Sequence, residues 1–186
     1  MKLIILDRDG VLNHDRDDFV KSADEWVPIE GSMDAVALLT EAGCTVAVAT
    51  NQSGIGRKYF SMQDLTEMHA KMHRLVQQAG GVIDGIWFCP HTAADNCDCR
   101  KPKPGMVRDI LARFNADAAE TWLVGDSLRD LQAMAAAGGK SALVLTGKGA
   151  KTLAEHESEL PEDTQVFDNL LAFAQYIVQD GTPSEN

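Results

Sequence analysis

Apolar and polar positions along the chain fall into blocks whose period switches between that of a strand and that of a helix. Short apolar runs at Lys2 to Leu6, Cys44 to Ala49, Ile83 to Phe88, Thr121 to Val124, Ser141 to Leu145 and Gln165 to Phe167 predict six strands. Helical spacing fills the stretches Gly31 to Ala42, Ser61 to about Gln78, Pro104 to about Phe114, Leu128 to Ala137, a charged segment near 151–159, and Asp168 to Val178. The punctuation agrees. Ser32 is a candidate N-cap and Gly43 a stop, Ser61 and Asp64 have capping-box spacing, Pro104 suits a first turn, and Gly138-Gly139 ends a helix. A single domain is expected over 1–179, with residues 180–186 a flexible tail.

Strands alternating with helices predict an α/β fold, a three-layer doubly wound sheet that is mostly parallel. The length leaves no room for a separate cap domain, so loops inserted after the strands must shape any site. Ligands of such sheets gather at the carboxyl ends of the strands. Asp7 and Asp9 follow the first strand, Thr50-Asn51-Gln52-Ser53 the second, a Cys/His cluster the third and Gly125-Asp126 the fourth. All four groups fall on one predicted edge.

Composition narrows the partners. The chain has 186 residues, 45% hydrophobic and 24% charged, as in an ordinary globular domain. Lys plus Arg is 17 and Asp plus Glu is 28, a net charge of −11, which argues against nucleic acid and anionic membrane as partners. A local basic patch can still grip a phosphorylated small molecule. No apolar run has membrane-spanning length, and a cytoplasmic monomer is expected.

Asp7-Arg8-Asp9-Gly10 places two carboxylates where they can converge on one hard cation and one substrate. Alone, it also reads as an acidic turn in which Gly10 supplies a positive φ. Asp126 tips the balance, because three carboxylates at one sheet edge repel unless a cation sits among them, and an all-oxygen set suits Mg²⁺. Thr50 to Ser53 is either a plain turn or a set of hydroxyl and N–H donors for phosphate oxygens. Arg100-Lys101-Pro102-Lys103-Pro104 is either a solvated charge cluster or a fixed cation held by a stiffened loop.

Cys89-x-His91 and Cys97-x-Cys99, five residues apart, form a Cys₃His set suited to tetrahedral Zn²⁺, with disulfides or scattered thiols as the alternatives. With every position filled by protein such a zinc is structural, pinning a loop at about 89–99 that carries Arg100 and Lys101. Cys44, mid-strand, reads as core. His69 and His73 read as a packing or solvated pair, and Asp130 as helix surface or a support rather than a ligand.

Asp7-Arg8-Asp9-Gly10-Val11, Thr50-Asn51-Gln52-Ser53-Gly54, Lys101 and Gly125-Asp126 resemble the four motifs of the haloacid-dehalogenase-like (HAD) phosphohydrolases. More narrowly, Cys89-Pro90-His91, Cys97-Asp98-Cys99-Arg100-Lys101-Pro102 and Pro104-Gly105-Met106 resemble the heptose 1,7-bisphosphate 7-phosphatase branch, with histidinol-phosphate phosphatases as a sister family. The sequence departs at Gly56-Arg57-Lys58-Tyr59, where the family has Ala-Arg-Gly, and in the loop Asp15 to Phe19. The resemblance implies Asp7 as nucleophile and Asp9 as general acid and base. It implies Mg²⁺ on Asp7, Asp9 and Asp126, with Thr50 and Lys101 steadying the phosphoryl oxygens. Substrate contacts are implied at Asp15, Arg16, Asp17, Asp18, Asn51, Gln52, Ser53, Arg57, Arg100 and Ser127. The implied substrate is a sugar bisphosphate. A reading of another class is a non-catalytic, zinc-stapled phosphosugar-binding module.

Overall fold

The computed structural model describes residues 2–180, so residues 181–186 of the expected tail lie outside the described residues. The strands are β1 (Leu3–Leu6), β2 (Thr45–Asn51), β3 (Gly85–Cys89), β4 (Trp122–Gly125), β5 (Lys140–Val144) and β6 (Gln165–Phe167). They form one sheet in the order β3-β2-β1-β4-β5-β6, and every neighbouring pair is parallel. The helices are α1 (Ser32–Glu41), α2 (Ser53–Gly56), α3 (Met62–Gln78), α4 (Gly105–Phe114), α5 (Leu128–Ala137), α6 (Gly149–His156) and α7 (Leu170–Asp180).

Strand periodicity divides the core. Ile4, Leu6, Val46 and Val48 face a layer that includes Val36, Leu39, Met68, Met72, Phe173 and Ile177. Leu3, Ile5, Ala47 and Ala49 face the opposite layer, with Met106, Val107, Ile110 and Met134. Both faces are covered, which is why the strand sequences read as continuous apolar runs rather than alternating ones. No described helix is long and apolar enough to cross a membrane.

The expected boundaries shift in places that matter. β2 runs on through Thr50 and Asn51, which pair with Phe88 and Cys89 of β3. The third strand begins at Gly85 rather than Ile83, because Asp84 turns its carboxylate back to accept from the Val46 N–H at 2.8 Å. Ser32 is not a cap. Gly31 takes that place at φ 80°, and the Ser32 hydroxyl donates to the Val11 carbonyl at 2.7 Å. The charged helix starts early, at Gly149, and ends in a 3₁₀ turn at Glu157–Glu159. The Ser61/Asp64 capping box forms as expected and opens α3. The strand order sets β1 beside β4, and the site lies where chain direction diverges between them.

Candidate active site

The loop after β1 turns at once, Gly10 adopting φ 83°, because there is no space for a side chain: a Cβ there would collide with the Asp126 carboxylate. This packs the end of β1 against the end of β4. A cleft of about 290 Å³ opens above them, with Asp7, Asp9, Lys101 and Asp126 at its base.

Lys101 is the organising cation. Its side chain is 1% exposed, and its ammonium lies 3.0 Å from Asp7 Oδ1 and 2.6 Å from Asp130 Oδ1 while donating to the Ala49 carbonyl at 2.7 Å. Burial works against that charge, but Asp130 and Asp7 outweigh it and hold the Lys101 pKa above its ordinary value. Asn51 positions the lysine's backbone: its amide donates to the Lys101 carbonyl at 3.0 Å and accepts from the Lys101 N–H at 3.1 Å.

The carboxylates are placed unequally. Burial, then Asp130, pushes Asp7 up to about 7 against the opposing pull of Lys101. Burial, then Asp130 and Asp7, pushes Asp126 up to about 8. Burial would raise Asp9 as well, but Arg8, Asn13 and Gln52 donate to its carboxylate and bring it below the usual range. Arg8 is fully buried and grips both Asp9 oxygens, at 2.9 and 3.1 Å.

Each of Asp7, Asp126 and Asp130 offers an oxygen within 4.8 Å of the others, and their donors decide which remain open. Asp130 is committed, one oxygen to Lys101 and the other to the Ser127 hydroxyl and N–H. Asp7 Oδ1 takes the Arg8 N–H and Lys101, and Asp126 Oδ2 takes the Lys148 N–H. Asp7 Oδ2 and Asp126 Oδ1 accept from no described residue. Two open oxygens on closely set carboxylates fit a hard cation of the magnesium type.

The other expected residues divide. Asn51, Gln52, Ser53, Asp15, Arg16, Asp17, Arg57, Arg100 and Ser127 line the cleft. Thr50 does not: it is fully buried, and its hydroxyl accepts from Gln52 Nε2 at 2.9 Å. Asp18 also points elsewhere, pairing with Arg16 and Lys21. Asp130 is not on a helix surface; it is 1% exposed and holds Lys101. Arg129 and Lys148 line the cleft without having been singled out. Lys148 follows β5, so reading the polar residues after the fifth strand, as after the first four, would have found it.

The Cys₃His set also assembles. Cys89 and Cys97 sulfurs lie 3.5 Å apart, as do those of Cys97 and Cys99, and His91 Nδ1 is 3.6 Å from Cys89 and 3.4 Å from Cys99. Zinc–thiolate bonds of about 2.3 Å at tetrahedral angles require sulfur separations of about 3.8 Å, so a small expansion accommodates the ion. Among the described residues the cysteines are free thiols. The cluster can bind zinc and stands immediately before Arg100 and Lys101.

A family model for HAD-hydrolase-like proteins matches residues 98–173. The chain is 79% identical over 182 residues to D-glycero-beta-D-manno-heptose-1,7-bisphosphate 7-phosphatase of Neisseria meningitidis serogroup B, covering 98% of this chain and 97% of that protein. The crystal structure of D,D-heptose 1,7-bisphosphate phosphatase from Bordetella bronchiseptica, complexed with magnesium and phosphate, matches with a TM-score of 0.94 at 55% identity, covering 97% of this chain and 100% of that one. The corresponding structure from Burkholderia thailandensis matches with a TM-score of 0.76 at 49% identity, over 96% and 99%. With its motifs on one sheet edge and relatives of this closeness along its length, the chain belongs to the heptose-1,7-bisphosphate 7-phosphatases, a family of HAD-like hydrolases.

Proposed function

We propose that this phosphatase removes the 7-phosphate of D-glycero-β-D-manno-heptose 1,7-bisphosphate, leaving heptose 1-phosphate, through an aspartyl-phosphate on Asp7. The observation that carries the reading is the buried Lys101 bridging Asp7 and Asp130 beside two undonated carboxylate oxygens. A binding module has no use for a nucleophile placed under a fixed cation. The name of the close relatives supplies the substrate and the β anomer.

Asp7 attacks phosphorus in line with the leaving sugar oxygen, and the P–O bond to the sugar breaks as the Asp7–phosphorus bond forms. Asp9 gives a proton to the departing oxygen. Arg8 favours ionised Asp9 in the free enzyme, and the dianionic phosphoryl group of the substrate opposes that pull. Asp9 then takes a proton from the water that attacks phosphorus and frees Asp7. Lys101 compensates charge on the equatorial oxygens, with Asn51, Gln52 and Ser53 supplying donors around them. Magnesium, held by Asp7, the Asp9 carbonyl and Asp126, would supply charge neutralisation between the carboxylate nucleophile and the phosphate. Zinc on Cys89, His91, Cys97 and Cys99 would hold the loop carrying Lys101. The thiol set fits a reducing compartment, and we assign the enzyme to the cytoplasm.

The test is a steady-state comparison of both anomers of the heptose bisphosphate with histidinol phosphate and fructose 1,6-bisphosphate. The β heptose bisphosphate should give the highest kcat/KM. Equal or better turnover of histidinol phosphate would assign the chain to the sister activity.

A further inference from the structure

In a chain of net charge −11, three of the six cations lining the cleft have an acidic partner. Lys101 has Asp7 and Asp130, Arg16 has Asp18 and Glu25, and Lys148 has Asp15 at 2.9 Å. Three guanidinium groups on the same cleft do not. Arg57 follows α2, Arg100 follows the zinc loop, and Arg129 stands in the first turn of α5. The guanidinium groups of Arg57 and Arg129 make no hydrogen bond or ion pair with the described residues, and Arg100 donates only to the His91 carbonyl at 3.3 Å.

Arg57, Arg100 and Arg129 line one cleft, and Arg100 and Arg129 also share the wall of a second hollow beside it. Three separate elements thus deliver like charges to one place, and no carboxylate relieves them. A dianionic phosphoryl group relieves all three, and guanidinium forks match its oxygens in pairs. Asp7 and Lys101 occupy the reacting end, so the arginines serve a second anion on the same ligand.

We propose that Arg129 is a specificity-determining residue, completing with Arg57 and Arg100 a guanidinium site for the phosphoryl group that stays on the sugar. The inference rests on the bisphosphate reading above. Its particular content is Arg129, which lies inside a helix sequence rather than after a strand.

The test measures kcat/KM for heptose 1,7-bisphosphate and for heptose 7-phosphate, with wild type, Arg129→Ala and Arg129→Lys, together with inhibition by heptose 1-phosphate. Wild type should prefer the bisphosphate. Arg129→Ala should reduce that preference about tenfold, the size of one lost charge-assisted hydrogen bond, with the change in KM rather than kcat. The inhibition constant of heptose 1-phosphate should rise by a similar factor, and Arg129→Lys should recover part of both. A wild-type preference that survives Arg129→Ala, with unchanged inhibition, overturns the role of Arg129 and leaves the substrate reading standing. No preference in wild type removes the bisphosphate reading, and this inference with it.

Discussion

Asp126 carries a charge that folding makes expensive. It is 3% exposed, faces Asp7 and Asp130, and has an ordinary pKa of 3.8 raised to about 8. Asp7 behaves alike, rising to about 7. Between about pH 4 and pH 8 the folded chain therefore binds more protons at these positions than the unfolded chain, and stability falls as pH rises. Thermal melts of magnesium-free protein should show that decline, and magnesium should reverse it at pH 8. Asp126→Asn should flatten the pH dependence and abolish the magnesium response; a variant that still gains stability from magnesium would show the ion sits elsewhere. The reacting groups make a second prediction. Asp7→Asn should lose activity by orders of magnitude while still binding phosphate, because an amide cannot attack phosphorus. Asp9→Asn should lose about 10²–10⁴-fold, measured as kcat at saturating magnesium. Near-normal kcat in Asp7→Asn would exclude the covalent route.

At the scale of elements, the loop between β3 and α4 joins the Cys₃His cluster to Lys101, and a coupling of metal to chemistry is the prediction that follows. Cys97→Ser should release zinc and free the segment up to Lys101, whose ammonium must stay about 3 Å from the transferring group. Misplacement by ~1 Å costs ~100-fold, so activity should fall steeply while circular dichroism stays that of a folded sheet. Normal turnover in a folded, zinc-free variant would show the loop holds itself. The ligands of this loop were legible in the sequence because close spacing alone brings Cys89, His91, Cys97 and Cys99 together. The Ser61/Asp64 capping box was legible for the same reason. What local reading misplaced was decided by partners far along the chain. Ser32 lost its cap role to a bond with Val11, and Asp84 shortened β3 by bonding Val46. Asp130 reads as either helix surface or a support, and only Lys101, 29 positions earlier, decides for the support.

For the whole molecule, the order β3-β2-β1-β4-β5-β6 converts a one-dimensional pattern into a site. Alternating strands and helices foretold that edge, and the motifs after the first four strands marked its members. Arg129 needed the three-dimensional arrangement, since it stands inside a helix and in no motif, whereas Lys148 follows β5 and the same reading carried one strand further would have reached it. The two metal sites should separate cleanly in purified enzyme. Zinc should remain at about one per chain through mild chelation, while magnesium washes out and restores turnover when returned, because thiolates hold zinc far more tightly than carboxylates hold magnesium. Elemental analysis finding no zinc would remove the staple from the account.

The turn that carries Asp7, the proposed nucleophile, is braced from a segment much later in the chain. Thr146 donates to the Gly10 carbonyl at 2.7 Å, the Lys148 N–H reaches Asp126, and Gly147 at φ 57° presses so close that a Cβ would strike both Asp126 and Gly10. The Thr146–Gly10 bond joins residues 136 positions apart. During synthesis, the segment bearing Asp7 emerges first, and these later bonds wait until residues 146–148 have left the ribosome and β5 has joined the sheet. A nascent chain thus carries Asp7, Asp9, Asp126 and Asp130 before the turn that sets the first of them against the third is fully held.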